Sequence, residues 1–270
     1  MKKTYLWVIA AIITVAAAVY QRTTGPTYPL KGNKVISGQK ISFKFTRSAE
    51  TGKDAIIAAP VIKGFQAFLA FKRYKTNDSL TYLPMSLNKD GEYEAKLPQL
   101  PAAGKYVYNI HYQSENDNNY WEILSDKDVV IRFKGEVPAW VLILHILFIF
   151  SAMLFSNFAG LASIWQPQIT LKWSKITLLL LIIGGFILGP VVQKYAFGAF
   201  WTGFPFGYDL TDNKVLLSVL MWVISFLMYR KSKNTKWFLL AAVTTFLIYL
   251  IPHSMFGSEL DFTTGVIKQG

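Results

Sequence analysis

The sequence predicts a membrane α-helical bundle joined to an all-β domain, with an immunoglobulin-like β-sandwich inserted between the first and second of five transmembrane helices. Three observations predict it. Apolar runs close to the length of a bilayer crossing occur at five places. Between the first two, the pattern changes to the two-residue alternation of strands. The charges flanking the runs are segregated by sign. The chain has 270 residues, 52% of them hydrophobic, with a mean hydropathy of +0.30. That apolar content is unevenly placed: residues 21–137 read as a soluble domain, whereas 1–20 and 138–252 carry the long apolar runs.

A spanning helix needs about 20 apolar residues. The five candidates are Tyr5–Tyr20 behind Lys2 and Lys3, Pro138–Asn157, Ile176–Val192, Leu210–Tyr229 and Trp237–Ile251. The first also suits a cleavable signal peptide, with its basic start and the small residues Ala16, Ala17 and Ala18. No clean break in polarity follows those alanines, so a retained anchor is expected. Within the third span, Gly184-Gly185 and Gly189-Pro190 read as close-packing and kink positions.

Orientation follows from the positive-inside rule. Lys172 and Lys175 fall between the second and third runs, and Arg230, Lys231, Lys233 and Lys236 between the fourth and fifth, with no acidic residue beside them. Asp209, Asp212, Glu259 and Asp261, the acidic residues after Glu136, then lie on the opposite side. The expectation is a multi-pass protein of the cytoplasmic (inner) membrane, with its N-terminus inside. The β domain (21–137) and a C-terminal tail (253–270) would be extracytoplasmic, flanking a four-helix domain over 138–252.

The net charge of +12 does not point to nucleic acid, because cytoplasmic loops of membrane proteins carry excess Lys and Arg. No helix-turn-helix, zinc-finger spacing or basic stripe with stacking aromatics accompanies it. The chain contains no cysteine. Disulfides, thiolate metal sites, c-type haem attachment and a lipid-modified cysteine are thereby excluded.

In the β domain, Lys40-Ile41-Ser42-Phe43-Lys44-Phe45 alternates as a half-buried strand should. Ala67–Tyr74, Glu92–Leu97, Lys105–Tyr112 and Val129–Phe133 follow the same pattern. Lys89-Asp90-Gly91 and Pro101-Ala102-Ala103-Gly104 supply turns, and Ser114–Asn119 reads as an exposed loop. Short strands at such spacing point to a sandwich, a fold that fixes no chemistry. His111 has no second histidine in the domain and reads as a strand residue.

Candidate chemistry concentrates after the third span. Tyr195 to Tyr208 alternates aromatic and small residues and leads into Asp209-Leu210-Thr211-Asp212-Asn213-Lys214. The structural account is an aromatic interface belt, with Asp209 and Asp212 spaced as an N-cap and its third-position partner. The sharper account is a metal site of His253, Asp209, Asp212, Glu259 and Asp261, gathered at one interface without a defined ligand spacing. His145 lies within the second span, where an ionisable residue is a functional candidate. His145 and His253 are the candidate axial ligands of a haem. A hydrolase using Asp209, Asp212 and His253 lacks a recognisable nucleophile–base pair.

On Thr24-Gly25-Pro26-Thr27-Tyr28-Pro29, Phe197 through Lys214, and Ile251-Pro252-His253-Ser254, nearly the whole chain resembles an uncharacterised family of bacterial inner-membrane proteins. The resemblance implies the topology above and no activity. The architecture is also similar to that of bacterial copper-handling proteins, but the β domain lacks the histidines of such a copper site. The expected function is an interaction or accessory protein presenting its β-sandwich to an extracytoplasmic or membrane protein partner, with the lipid bilayer around it and no cofactor. The alternative is a haem- or divalent-metal-handling protein. A catalytic role is not expected.

Overall fold

Alternating residues become strands wherever one face of the chain can be buried. Eleven lie between the first two helices: β1 (Leu30–Ile36), β2 (Gln39–Phe45), β3 (Ser48–Glu50), β4 (Ala55–Ala59), β5 (Phe65–Arg73), β6 (Thr81–Pro84), β7 (Ser86–Leu87), β8 (Tyr93–Leu97), β9 (Lys105–Ser114), β10 (Trp121–Ile123) and β11 (Val129–Lys134). The computed structural model describes residues 1–252 and 257–268. Its contacts separate a β unit, Thr27–Glu136 with Glu259–Lys268, from a helical unit, Met1–Pro26 with Val137–Ser258.

The β unit is sandwich-like. One sheet runs β3-β11-β9-β5-β6, with β10 also on β9, and a second runs β4-β8-β7. The hairpin β1-β2 forms a separate ribbon. The core includes Phe45, Ile57, Leu69, Ile110, Ile131 and Phe133, all essentially inaccessible. Three tyrosines in it keep a partner for their hydroxyls, as a buried polar group must. Tyr108 donates to Thr46 O at 2.7 Å, Tyr112 to Pro60 O at 2.6 Å and Tyr93 to Phe65 O at 2.8 Å. Burial pushes the phenol pKa values of Tyr108 and Tyr112 up, so they remain donors.

The five alternating runs correspond to β2, β5, β8, β9 and β11, and Ser114–Asn119 forms the β9–β10 connection. The C-terminal segment departs from expectation. Residues 259–268 are not a free tail: β12 (Glu259–Leu260) and β13 (Ile267–Lys268) form a hairpin that belongs to the β unit. Leu260 N donates to Ala103 O at 3.1 Å, and Phe262 packs on the β core.

The helices are α1 (Lys3–Thr24), α2 (Ala139–Trp165), α3 (Pro167–Leu181), α4 (Gly189–Phe197), α5 (Leu210–Ser232) and α6 (Lys236–Leu250). A π-helical segment, Ile182–Leu188, joins α3 and α4 into one run, Pro167–Phe197. Among the described residues, four stretches are long and apolar enough to cross a membrane: α1, α2, Pro167–Phe197 and α5. The fifth expected span, Trp237–Ile251, coincides with the shorter apolar helix α6. With 15 residues, α6 extends about 22 Å at 1.5 Å per residue, short of the roughly 30 Å of a hydrocarbon core. Pro252 explains its end: the residue before a proline is pushed out of the helical region, and Ile251 adopts φ −70° and ψ 122°.

The connections are tighter than the sequence suggested. One residue, Gln166, separates α2 from α3, so Lys172 and Lys175 lie on the first turns of α3 rather than in a loop. Small residues allow close helix approach. A Cβ on Gly160 would fall 2.6 Å from Ala242 Cβ, and one on Gly185 would fall 2.4 Å from Val215 Cγ1.

The helix ends sort by charge. At one end Gln166 Nε2 donates to Met1 O at 2.9 Å and Thr235 Oγ1 to Ser163 O at 3.1 Å. These bonds gather the start of α1, the α2–α3 turn and the α5–α6 turn; Lys2, Lys3, Arg230, Lys231, Lys233 and Lys236 lie there, with Lys172 and Lys175 on the adjoining part of α3. At the other end Gln21 Nε2 donates to Tyr249 O at 2.8 Å. The acidic residues of the helical unit, Asp209 and Asp212, lie at that second end, as do Arg22, Lys194 and Lys214.

Candidate functional site

A buried polar cluster lies where the segment after α4 folds over the start of α5. The α4 helix stops at Gly198, which takes the left-handed conformation (φ +85°) that glycine adopts without strain. Asp209 caps α5, its Oδ1 accepting from Thr211 N at 2.8 Å. Its backbone N donates instead to Thr202 O at 3.0 Å. Asp212 is therefore not the reciprocal half of a capping box. Its Oδ2 accepts from Thr202 N at 2.6 Å and from Thr202 Oγ1 at 3.1 Å.

Further bonds extend the cluster. Gln193 Nε2, on α4, donates to Thr202 Oγ1 at 2.8 Å, and Asn213 Oδ1 accepts from Phe204 N at 2.8 Å. Gly203 fits between them because a Cβ there would fall 2.8 Å from both Asn213 Oδ1 and Asp212 Cβ. Lys214 Nζ donates to Ile251 O at 2.5 Å and Pro252 O at 3.0 Å, at the end of α6 where orphan carbonyls concentrate negative charge. Thr202, Asp209, Asp212 and Lys214 are all buried.

While its inner face is bonded, the segment turns aromatic rings outward. Phe200 is 58% exposed, Phe204 64%, and Phe206 and Tyr208 78% each. Alternation in the sequence thus becomes a loop with polar anchors inside and rings outside.

Two other proposed ligands, Glu259 and Asp261, are paired with lysines. Glu259 belongs to the β unit, where its carboxylate meets Lys105 Nζ at 2.7 Å and Lys75 Nζ at 3.0 Å. Burial raises its pKa, but the hydrogen bonds and charges of the two lysines outweigh this and leave it below the ordinary glutamate value. Asp261 pairs with Lys268 at 2.5 Å. That hydrogen bond, with the amides of Thr263 and Thr264, brings its pKa down to about 2. His253 lies outside the described residues. Among the described residues no group of three or more His, Asp or Glu side chains is placed to hold a metal ion.

His145 sits on α2 against the π-helical segment. Its Nδ1 lies 2.9 Å from Gly184 O, which also accepts from the Gly189 amide. A carbonyl only accepts, so Nδ1 carries a proton, and in a neutral ring Nε2 then holds the lone pair. In the β unit His111 is an ordinary strand residue, opposite Phe68 on β5 and edge-on to Tyr82 at 5.4 Å. Burial lowers its pKa.

Sequence reading missed Gln193, Thr202, Asn213 and Lys214 as members of the cluster. The available signal was a polar side chain, Gln193, within an apolar run. No protein-family model, curated protein or solved structure matches the chain.

Proposed function

We propose that the chain is a multi-pass accessory or interaction protein of the cytoplasmic membrane, whose β unit, of immunoglobulin-like type, meets a protein partner outside that membrane. The observation that carries this reading is the use made of the carboxylates. Asp209 and Asp212 are bonded to loop and helix amides, and Glu259 and Asp261 to lysines, so all four serve the fold. The orientation is supported by eight exposed Lys and Arg residues at one helix end against the exposed Arg22 and Lys194 at the other, the asymmetry that the positive-inside rule reads.

The test is purification in mild detergent. The expected result is a protein partner at defined stoichiometry and no haem or metal above background; a stoichiometric haem or metal would overturn the reading. For orientation, Asn118→Cys should react with an impermeant thiol reagent added to intact cells, and Lys233→Cys should not. The reverse pattern inverts the topology.

One observation favours haem or metal handling as the second reading. A ligating histidine almost always donates its other ring N–H to a carbonyl or carboxylate, and His145 does so to Gly184 O. If this is its role, washed protein gains a Soret band or bound metal on loading, and His145→Ala loses it.

A further inference from the structure

The ribbon β1-β2 presents two faces of opposite character. In its antiparallel register Lys31 pairs with Lys44, Asn33 with Ser42 and Val35 with Lys40. Leu30, Gly32, Lys34 and Ile36 of β1 alternate with these, as do Ile41, Phe43 and Phe45 of β2. On that alternate face Ile36, Ile41 and Phe45 join the β core and the Phe43 ring covers Gly32. Lys34 there pairs with Asp126 at 2.7 Å.

The other face is solvent-exposed throughout: Lys31, Asn33 and Val35 from β1, and Lys40, Ser42 and Lys44 from β2. Its charge is of one sign. Lys31 stands directly opposite Lys44, a like-charge cross-strand pair that weakens a ribbon. Among the described residues, none of the ion pairs involves Lys31, Lys40 or Lys44. The 63% exposed Val35 adds an apolar contact beside the Ser37-Gly38 turn.

Chain length limits how far this face can lie from a bilayer. The α1 helix, 22 residues long and apolar enough to span, ends at Thr24, and β1 starts at Leu30. The intervening residues 25–29 reach about 20 Å when fully extended. We propose that the Lys31–Lys40–Lys44 face of the ribbon docks on anionic phospholipid headgroups at the membrane that α1 crosses. The lysine ammonium groups supply the attraction, and Val35 touches the interfacial layer. This goes beyond the partner-binding reading, and either can fail without the other.

The test uses the full chain in nanodiscs. Because the protein has no native cysteine, Ser42→Cys takes a single fluorophore on the basic face, and Asn118→Cys labels the β9–β10 connection as a control. Headgroup-spin-labelled lipid reports proximity by quenching. The expected result is strong quenching at position 42 in phosphatidylglycerol discs and little in phosphatidylcholine discs. It should be reversed at about 1 M salt, where the Debye length falls to about 3 Å. Each lysine near an anionic surface changes the docked-to-free ratio about fivefold, so K31E/K40E/K44E should abolish quenching. The milder K31Q/K40Q/K44Q should reduce it roughly a hundredfold in the same ratio, guarding against misfolding of the charge-reversed ribbon. Equal quenching in the two lipids, quenching unaffected by both triple variants, or an equal response at position 118 would overturn the proposal. So would shielding of position 42 only when an acidic protein co-purifies.

Discussion

Asp212 Oδ2 holds both the amide and the hydroxyl of Thr202, at 2.6 and 3.1 Å, inside the segment that joins α4 to α5. One carboxylate oxygen thereby fixes a loop whose outward rings are Phe200, Phe204, Phe206 and Tyr208. Removing that oxygen strands the Thr202 amide in a site where the residue is 1% exposed. Asp212→Ala should lower stability by about 1–3 kcal/mol, the range for an orphaned buried group. Asp212→Asn keeps an acceptor and should lose less. Thermal unfolding in detergent, with limited proteolysis of residues 198–208, would check both. Gln193→Leu combined with Asp212→Ala should be less than additive, because both act on Thr202.

How far the sequence revealed this site depends on the range of each interaction. The Asp209 cap was legible because a cap joins residues two apart along the chain. The Asp212–Thr202 bond spans 10 residues, and spacing alone made Asp212 resemble the partner of a capping box. The β strands were legible where alternation was long, as in β5 and β9. The short β3, β7 and β10 carry too few residues for a period. Glu259 was misplaced because its partners, Lys75 and Lys105, lie 184 and 154 residues away. Chain order grouped it with the last helix, whereas packing gives it to the β unit.

That placement makes the C-terminal hairpin acid-sensitive. The Glu259 carboxyl has a folded pKa below its unfolded value, so its contribution is complete above the ordinary glutamate range. It is lost as pH falls through the folded value. Burial lowers the pKa of Lys105, and the Glu259 hydrogen bond and charge raise it by less, but Lys105 remains a cation across this acid window. Asp261, with a pKa of about 2, should hold the hairpin's internal pairing with Lys268 to lower pH. The protection of the Leu260 amide, which donates to Ala103 O, relative to its intrinsic exchange rate should therefore fall first as pH drops below the glutamate range. Glu259→Gln should show fast exchange at neutral pH and a flattened acid response. An unchanged profile would place the control elsewhere.

The π-helical segment predicts a paired substitution. Gly185 leaves no space for a methyl group, since a Cβ would lie 2.4 Å from Val215 Cγ1 on α5. Gly185→Ala should cost about 1–3 kcal/mol by overpacking. Val215→Ala removes the obstructing methyls and should restore part of that loss. A double-mutant cycle by thermal unfolding should show favourable coupling. Strict additivity would mean that the helices shift to absorb the methyl.

The first helix packs closely on the bundle. Leu6, Ala10, Thr14 and Ala17 form its buried stripe, at the three- and four-residue spacings of one helical face. Thr14 Oγ1 accepts from Asn157 Nδ2 of α2 at 2.9 Å while donating to Ala10 O at 2.8 Å. Trp7 stacks on Phe158 with centroids 3.8 Å apart and meets Trp173 edge-on at 5.0 Å. Removal of α1 would expose Phe158 and Ala162, both 0% accessible, and leave Asn157 without its hydroxyl partner. A cleaved signal peptide makes no such lasting contacts. Purified protein should therefore retain residues 1–24 by intact mass. Asn157→Ala should weaken the α1–α2 association by about 0.6 kcal/mol, the mean for an interhelical hydrogen bond within a membrane. Trp7→Ala removes three aromatic contacts, to Phe155, Phe158 and Trp173, each of about 0.5–1.5 kcal/mol beyond its buried area, and should weaken it more. Disulfide trapping between cysteines at Ala10 and Ala162 would measure both losses. A mature chain beginning after residue 20 would defeat the prediction.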